Sequence, residues 1–182
     1  MTIFMEKFYY SLGVIKANTK EIELRYKIVK LALLQHYKKY VHGSNGPYTF
    51  DCAGLIWYVY NEIFNINLYE NGFGLSTTTK IMTNNFGKLT IFDENSLNKN
   101  LSLIRDGDIL FFHRQSLNYT VPKEDNKYPG HCGIYLGNND FIHCSRSKGK
   151  VIISNFIKND YWKSVLVASK DIFRDNDLQR IK

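Results

Sequence analysis

Apolar residues recur at helical spacing in the first third of the chain and in short strand-length runs in the last third. Between Glu21 and about Tyr40, Ile22, Ile28, Leu31, Ala32, Leu34 and Tyr37 fall near one helical face with lysines between them, which predicts a helix there. His42-Gly43-Ser44-Asn45-Gly46-Pro47 is a cluster of turn formers that ends it. A second helix is predicted from about Cys52 to Phe64, with Leu55, Ile56, Val59, Tyr60 and Ile63 as its apolar stripe. Residues 65–100 are polar and rich in asparagine, and predict a short helix or two with connecting loops. Arg105-Asp106-Gly107-Asp108 reads as a turn and Ile109-Leu110-Phe111-Phe112 as a buried strand. Residues 113–130 read as a long loop, of a length usually tied to function or disorder. Strands follow at 131–136, 140–144 and about 150–154, separated by turns at Asn138-Asn139 and Lys148-Gly149. Tyr161-Trp162 with Val165-Leu166-Val167-Ala168 predicts a last strand. Helices first and a meander of strands later predict an α+β fold. One domain is expected over 1–182, with about residues 1–20 as an appended segment.

Composition narrows the class. A chain of 182 residues with 44% hydrophobic and 23% charged residues is too apolar for disorder. At that size it buries roughly 70% of its unfolded surface and needs no staple. The three cysteines are an odd number and no C-x-x-C occurs, so a disulfide scaffold is not expected and a reactive thiol is. The formal net charge of +7 favours an anionic partner. The basic residues are nevertheless scattered, with no basic stripe and no recognised nucleic-acid motif, so no nucleic acid is expected. No apolar stretch reaches membrane-spanning length.

The chemistry concentrates around Cys52. A cysteine that opens a helix sits among unpaired amide protons and the positive end of the helix dipole, which together stabilise a thiolate and can receive an oxyanion. Asp51 is placed to cap that helix or to face a substrate. Downstream, His131 and His143 lie on neighbouring predicted strands. If the connecting loop is Gly137-Asn138-Asn139, Leu136 pairs with Asp140, Gly133 lies opposite His143, and His131 is its diagonal neighbour on the same face. A two-residue Asn138-Asn139 loop would put the two histidines on opposite faces. In the first register Cys132 faces away from His131 into the core, and Cys144 packs inward. A thiol, a base and a residue that orients the base make the layout of a nucleophilic triad. His36 reads as solvated, and His113 as the end of a strand at the loop mouth.

These residues resemble the NlpC-type cysteine peptidases, bacterial cell-wall hydrolases with a papain-like fold. The resemblance rests on Tyr40-Val41-His42-Gly43, Phe50-Asp51-Cys52-Ala53-Gly54-Leu55, Asp106-Gly107-Asp108-Ile109-Leu110-Phe111-Phe112, His131-Cys132-Gly133-Ile134-Tyr135-Leu136-Gly137 and Phe141-Ile142-His143. It covers about residues 25–170. It implies Cys52 as nucleophile, His131 as general base and His143 as the residue that orients it. It implies Tyr40, with the Cys52 amide, at the oxyanion site, and Asp51 in contact with substrate. The reaction implied is hydrolysis of the amide between γ-D-glutamate and a diamino acid in wall stem peptides, with no metal or cofactor. Ala53 stands where serine is common, His42 where tryptophan is frequent, and the loop 113–130 is longer than usual.

Met1-Thr2-Ile3-Phe4-Met5-Glu6-Lys7 lacks the features of a secretory signal. The expectation is therefore a protein made in the cytoplasm, or one whose leader has been removed, that acts on the cell wall, as a phage or mobile-element lysin would. The alternative is an intracellular thiol amidase or acyltransferase on a non-wall substrate. A zinc site from His131, Cys132, His143 and Cys144 is disfavoured, because adjacent strand residues point to opposite faces.

Overall fold

The computed structural model describes residues 19–69, 77–92, 101–113 and 129–173. The expected appended segment (apart from Thr19 and Lys20), and residues 114–128 of the expected long loop, lie outside the described residues. The helices are α1 (Thr19–Leu33), α2 (Cys52–Phe64), α3 (Thr77–Thr83) and α4 (Asp160–Val165). The strands are β1 (Lys39–Tyr40), β2 (Thr49–Phe50), β3 (Lys88–Ile91), β4 (Ile109–Phe112), β5 (His131–Gly137), β6 (Asp140–Ser145), β7 (Lys150–Asn155) and β8 (Leu166–Asp171). They form one sheet in the order β2-β1-β7-β6-β5-β4-β8-β3. Its pairs are antiparallel except β1 with β2, which run parallel. The α+β expectation holds, with that one parallel pair as a refinement.

Both faces of the sheet are covered, so β4 is apolar at every position. Ile109 and Phe111 join the core formed with Ile28, Leu55, Ile56 and Val59 of the helices. Leu110 and Phe112 face the other way, into a second cluster with Tyr135, Phe141, Phe156 and Val165. The same alternation sorts the central hairpin. Cys132 and Cys144 point to the helices, while His131 and His143 point to the second cluster. The grouping considered for zinc is therefore split between faces. Among the described residues no cluster of histidine, cysteine and carboxylate could hold a metal ion.

Two local expectations are corrected and one open choice is decided. The first helix stops at Leu33 instead of continuing to Tyr40. Leu34 and Tyr37 keep the helical spacing but are exposed. The chain leaves the helix through one tight turn, and Tyr37, at φ 67°, turns it so that its amide donates to Val151 on β7. Tyr40 thereby becomes a strand residue beside the cleft. Tyr161 and Trp162 belong to α4, not to the last strand, because the Asn159 side chain accepts from the Tyr161 amide and caps a helical turn. The β5–β6 turn is the two-residue Asn138-Asn139 form, with Gly137 opposite Asp140. A bulge between Tyr135 and Gly137 absorbs the extra residue, so that Ile134 pairs with Ile142. Gly133 and His143 thus become neighbours, as the longer loop would have made them.

A buried ion cluster fastens this frame. Arg25 on α1 contacts Glu21 at 2.8 Å, Asp108 at 2.8 Å and Asp171 at 2.5 Å, and donates to the Asp106 carbonyl at 2.9 Å. Its guanidinium also lies 4.4 Å from the Phe173 ring centre. The Tyr60 hydroxyl donates to the Gly107 carbonyl from α2. One arginine therefore ties the first helix to the turn before β4 and to the end of β8.

Candidate active site

Cys52 opens α2, and the loop before it explains how it is held. Asp51 caps the helix: its Oδ1 accepts from the Gly54 amide at 2.7 Å. Its Oδ2 accepts from the Gly43 amide at 2.8 Å, and its own amide donates to the Ser44 carbonyl. Gly54 is required for this contact, since a Cβ there would lie 2.0 Å from the Ser44 carbonyl oxygen. The loop that carries Tyr40 and His42 is thus drawn onto the helix start.

The histidines meet as the register demands. His131 Nε2 and His143 Nδ1 are 2.8 Å apart, with the rings edge to face. His143 Nε2 continues to Ser154 Oγ on β7 at 3.0 Å. Gly133 makes room: a Cβ there would lie 2.8 Å from the Phe141 ring and 3.2 Å from His143 Cβ. Burial first, then the charge of His131, holds His143 well below the ordinary histidine range. It is therefore neutral. With Nε2–H donating to Ser154, its Nδ1 is left to accept from His131, and His131 Nδ1 is left free to take a proton.

Trp162 and Phe112 close over this pair. The Trp162 ring centre lies 5.7 Å from that of His131 and 4.9 Å from that of His143. Neither Trp162 nor Ser154 was singled out from the sequence. Ser154 had no local signal, and Trp162 was hidden in a strand-like run.

The Cys52 thiol is held well below the ordinary thiol range, first by the neighbouring Cys132 thiol, then by hydrogen bonding and charge from His131 and by Thr78, against the upward push of burial. Cys132 is core, as expected, yet its thiol reaches the underside of Cys52. Burial pushes it well above the ordinary range, so it stays an S–H donor toward a thiolate. Cys144 is pushed up to about 12 by burial and donates to the Phe50 carbonyl. Tyr40 is also raised, by burial first and then by the charges of Cys52 and Asp51, so its hydroxyl keeps its proton.

These differences give a test. Iodoacetamide at neutral pH should modify Cys52 selectively, with a pH midpoint below that of an ordinary thiol, and leave Cys132 and Cys144 intact. Peptide mapping by mass spectrometry reads the site. Equal labelling of all three would contradict the arrangement.

Tyr40, Asp51, Cys52, His131 and His143 all line one cleft of about 850 Å³. His113 also reaches its wall, as do Thr78 and Trp162. The NlpC/P60 family profile matches residues 37–171, which spans β1 to β8 and every one of these side chains. The chain belongs to the NlpC/P60 family. Its fold is accordingly papain-like. Among NlpC/P60 relatives it is 30% identical over 138 residues to the γ-DL-glutamyl hydrolase of Bacillus subtilis, covering 75% of this chain and 27% of that one. It is 28% identical to the probable endopeptidase YafL of Escherichia coli, covering 78% and 47%. The solved NlpC1 of Trichomonas vaginalis superposes with a TM-score of 0.58 at 24% identity, over 88% of this chain and 46% of that one. The chain thus spans about half or less of the length of these NlpC/P60 relatives. Among the described residues, no helix is long and apolar enough to cross a membrane.

Proposed function

We propose that this domain is a cysteine endopeptidase of peptidoglycan that hydrolyses the amide between γ-D-glutamate and a diamino acid in wall stem peptides. The observation that carries the reading is the Cys52 thiol at a capped helix start, lining the same cleft as His131. The His131–His143–Ser154 line beside it supports the same reading. In this reading the Cys52 thiol gives its proton to His131 Nδ1, and Sγ attacks the γ-carbonyl carbon. The oxyanion is received by the Cys52 amide at the helix start and by the Tyr40 hydroxyl. His131 passes its proton to the leaving amine as the C–N bond breaks, giving a thioester. Water, deprotonated by His131, then attacks the thioester and releases the γ-glutamyl carboxylate and the Cys52 thiolate.

Asp51 lines the cleft, but both of its oxygens accept from backbone amides. Its part in substrate binding is to hold the loop with Tyr40 and His42 against the helix start. The names of the Bacillus and Escherichia relatives agree with γ-glutamyl and endopeptidase chemistry.

Purified peptidoglycan incubated with the protein should release new amino groups and no new reducing sugar ends. Reducing ends without amines would overturn the peptidase reading. The His143→Ala variant should lose on the order of 10²-fold or more in kcat, because His131 is left without the acceptor that fixes its tautomer. A KM change alone would contradict that role.

A further inference from the structure

The turn between β6 and β7 brings one cation to the cleft. Arg146 and Ser147 line it together with Tyr40. Of the described residues that line the cleft, only Arg146 and Asp51 carry permanent charge, and the Asp51 carboxylate is taken up by the Gly43 and Gly54 amides. Among the described residues no carboxylate neutralises Arg146. The chain holds no acidic residue between Asp140 and Asp160, nor between Glu23 and Asp51, the stretches that build β1 and this turn.

The turn is also rigidly placed. The Gly149 amide donates to the Arg146 carbonyl at 3.2 Å, and the Lys148 amide to Ser145 Oγ at 3.3 Å. Ser145 and Ser147 share a hydroxyl contact at 3.2 Å. The Tyr40 amide donates to the Gly149 carbonyl at 2.8 Å, which locks the turn to the strand that carries Tyr40. The charge of Arg146 reaches the Tyr40 phenol and opposes the upward push on it. Arg146, an exposed residue, therefore brings a guanidinium with five donors to the cleft that the residue assigned to the oxyanion also lines.

A γ-linked D-glutamate carries a free α-carboxylate, joined to the scissile carbonyl through Cα, Cβ and Cγ. We infer that Arg146 is a specificity-determining anion subsite that binds this α-carboxylate and selects acidic stem peptides over those whose D-glutamate is amidated to D-isoglutamine. This rests on the γ-glutamyl reading of the site. A guanidinium and a carboxylate form a charge-assisted fork, whereas a carboxamide offers only one neutral acceptor.

The test compares kcat/KM for two synthetic stem peptides, identical except for D-glutamate or D-isoglutamine, with wild type, Arg146→Gln and Arg146→Lys. Wild type should prefer the acid by about tenfold or more. Arg146→Gln should bring the ratio close to one, mainly through loss on the acid peptide. Arg146→Lys should keep part of the preference. Equal rates for wild type on both peptides, or an unchanged ratio in Arg146→Gln, would overturn the subsite while leaving the γ-glutamyl reading standing. Folded wild type that cleaves neither peptide would overturn that reading, and the subsite with it. Circular dichroism of the variants checks that this exposed substitution leaves the fold unchanged.

Discussion

The Cys52→Ala variant should lose wall hydrolysis by at least about 10⁴-fold and keep its fold. A nucleophile that forms the covalent intermediate has no substitute, so residual turnover reflects only binding and the oxyanion donors. Stability should change by less than about 1 kcal/mol. Alanine is a good residue for a first helical turn, and the cap that starts α2 belongs to Asp51. Removing the thiolate also removes the charge that faces Cys132 and His131. Those two partners favour the thiolate, so the expected signature is an inactive protein with an unchanged or slightly lowered melting temperature. A variant that is inactive because it has unfolded would place the importance of Cys52 in the core instead of the chemistry. A variant that keeps wild-type turnover would remove Cys52 from the mechanism.

The second large effect lies far from the cleft. Arg25→Met should destabilise the protein by about 3–5 kcal/mol. Arg25 is 4% exposed and is the cation shared by Asp108, Asp171 and Glu21. Methionine fills much of the same volume, so the loss is not mainly one of packing. It comes from leaving two buried carboxylates, Asp108 and Asp171, without the guanidinium. Against a typical total stability of about 5–15 kcal/mol, this leaves a marginal fold. Urea denaturation of wild type and variant measures it. Glu21→Gln serves as a comparison. It takes one partner from Arg25 and Arg105 but strands no buried carboxylate, and its effect should be smaller. A shift below about 1 kcal/mol for Arg25→Met would mean that the cluster is not a clamp.

Much of the site was legible because local chemistry and fold agree there. Asp51 and Cys52 announce a capped helix start, and the structure uses both as their chemistry suggests: cap, and half-buried thiol lining the cleft. The hairpin from His131 to His143 was readable from its apolar alternation and its asparagine turn. The way the two histidines reach one face was not. Of the two loops considered the structure has the two-residue one, and a bulge at the end of β5 restores the register that the longer loop would have given. Such a bulge depends on how both strands twist against their neighbours, which periodicity along one strand does not encode.

The end of α1 was misread because Leu34 and Tyr37 extend the helical spacing, although both are exposed where the chain turns to join β7. Trp162 was misread because aromatic residues beside Val165-Leu166-Val167-Ala168 look like strand, and only the Asn159 cap shows the helical turn. β3 (Lys88–Ile91), a short edge strand against β8, carries too few apolar residues to announce itself. Ser154 and Arg146 have meaning only once β7 lies beside β6 and the turn lies beside Tyr40. The first contact crosses the β6–β7 hairpin, 11 residues apart, and depends on its register; the second joins segments far apart in the chain.

The most direct test of the central claim is mass spectrometry of soluble fragments released from purified peptidoglycan by wild type and by Cys52→Ala. The account expects new fragments that end in γ-D-glutamate, each matched by a fragment with a free diamino-acid amine, and only with wild type. Cleavage at another bond, or the same fragments from Cys52→Ala, would contradict it.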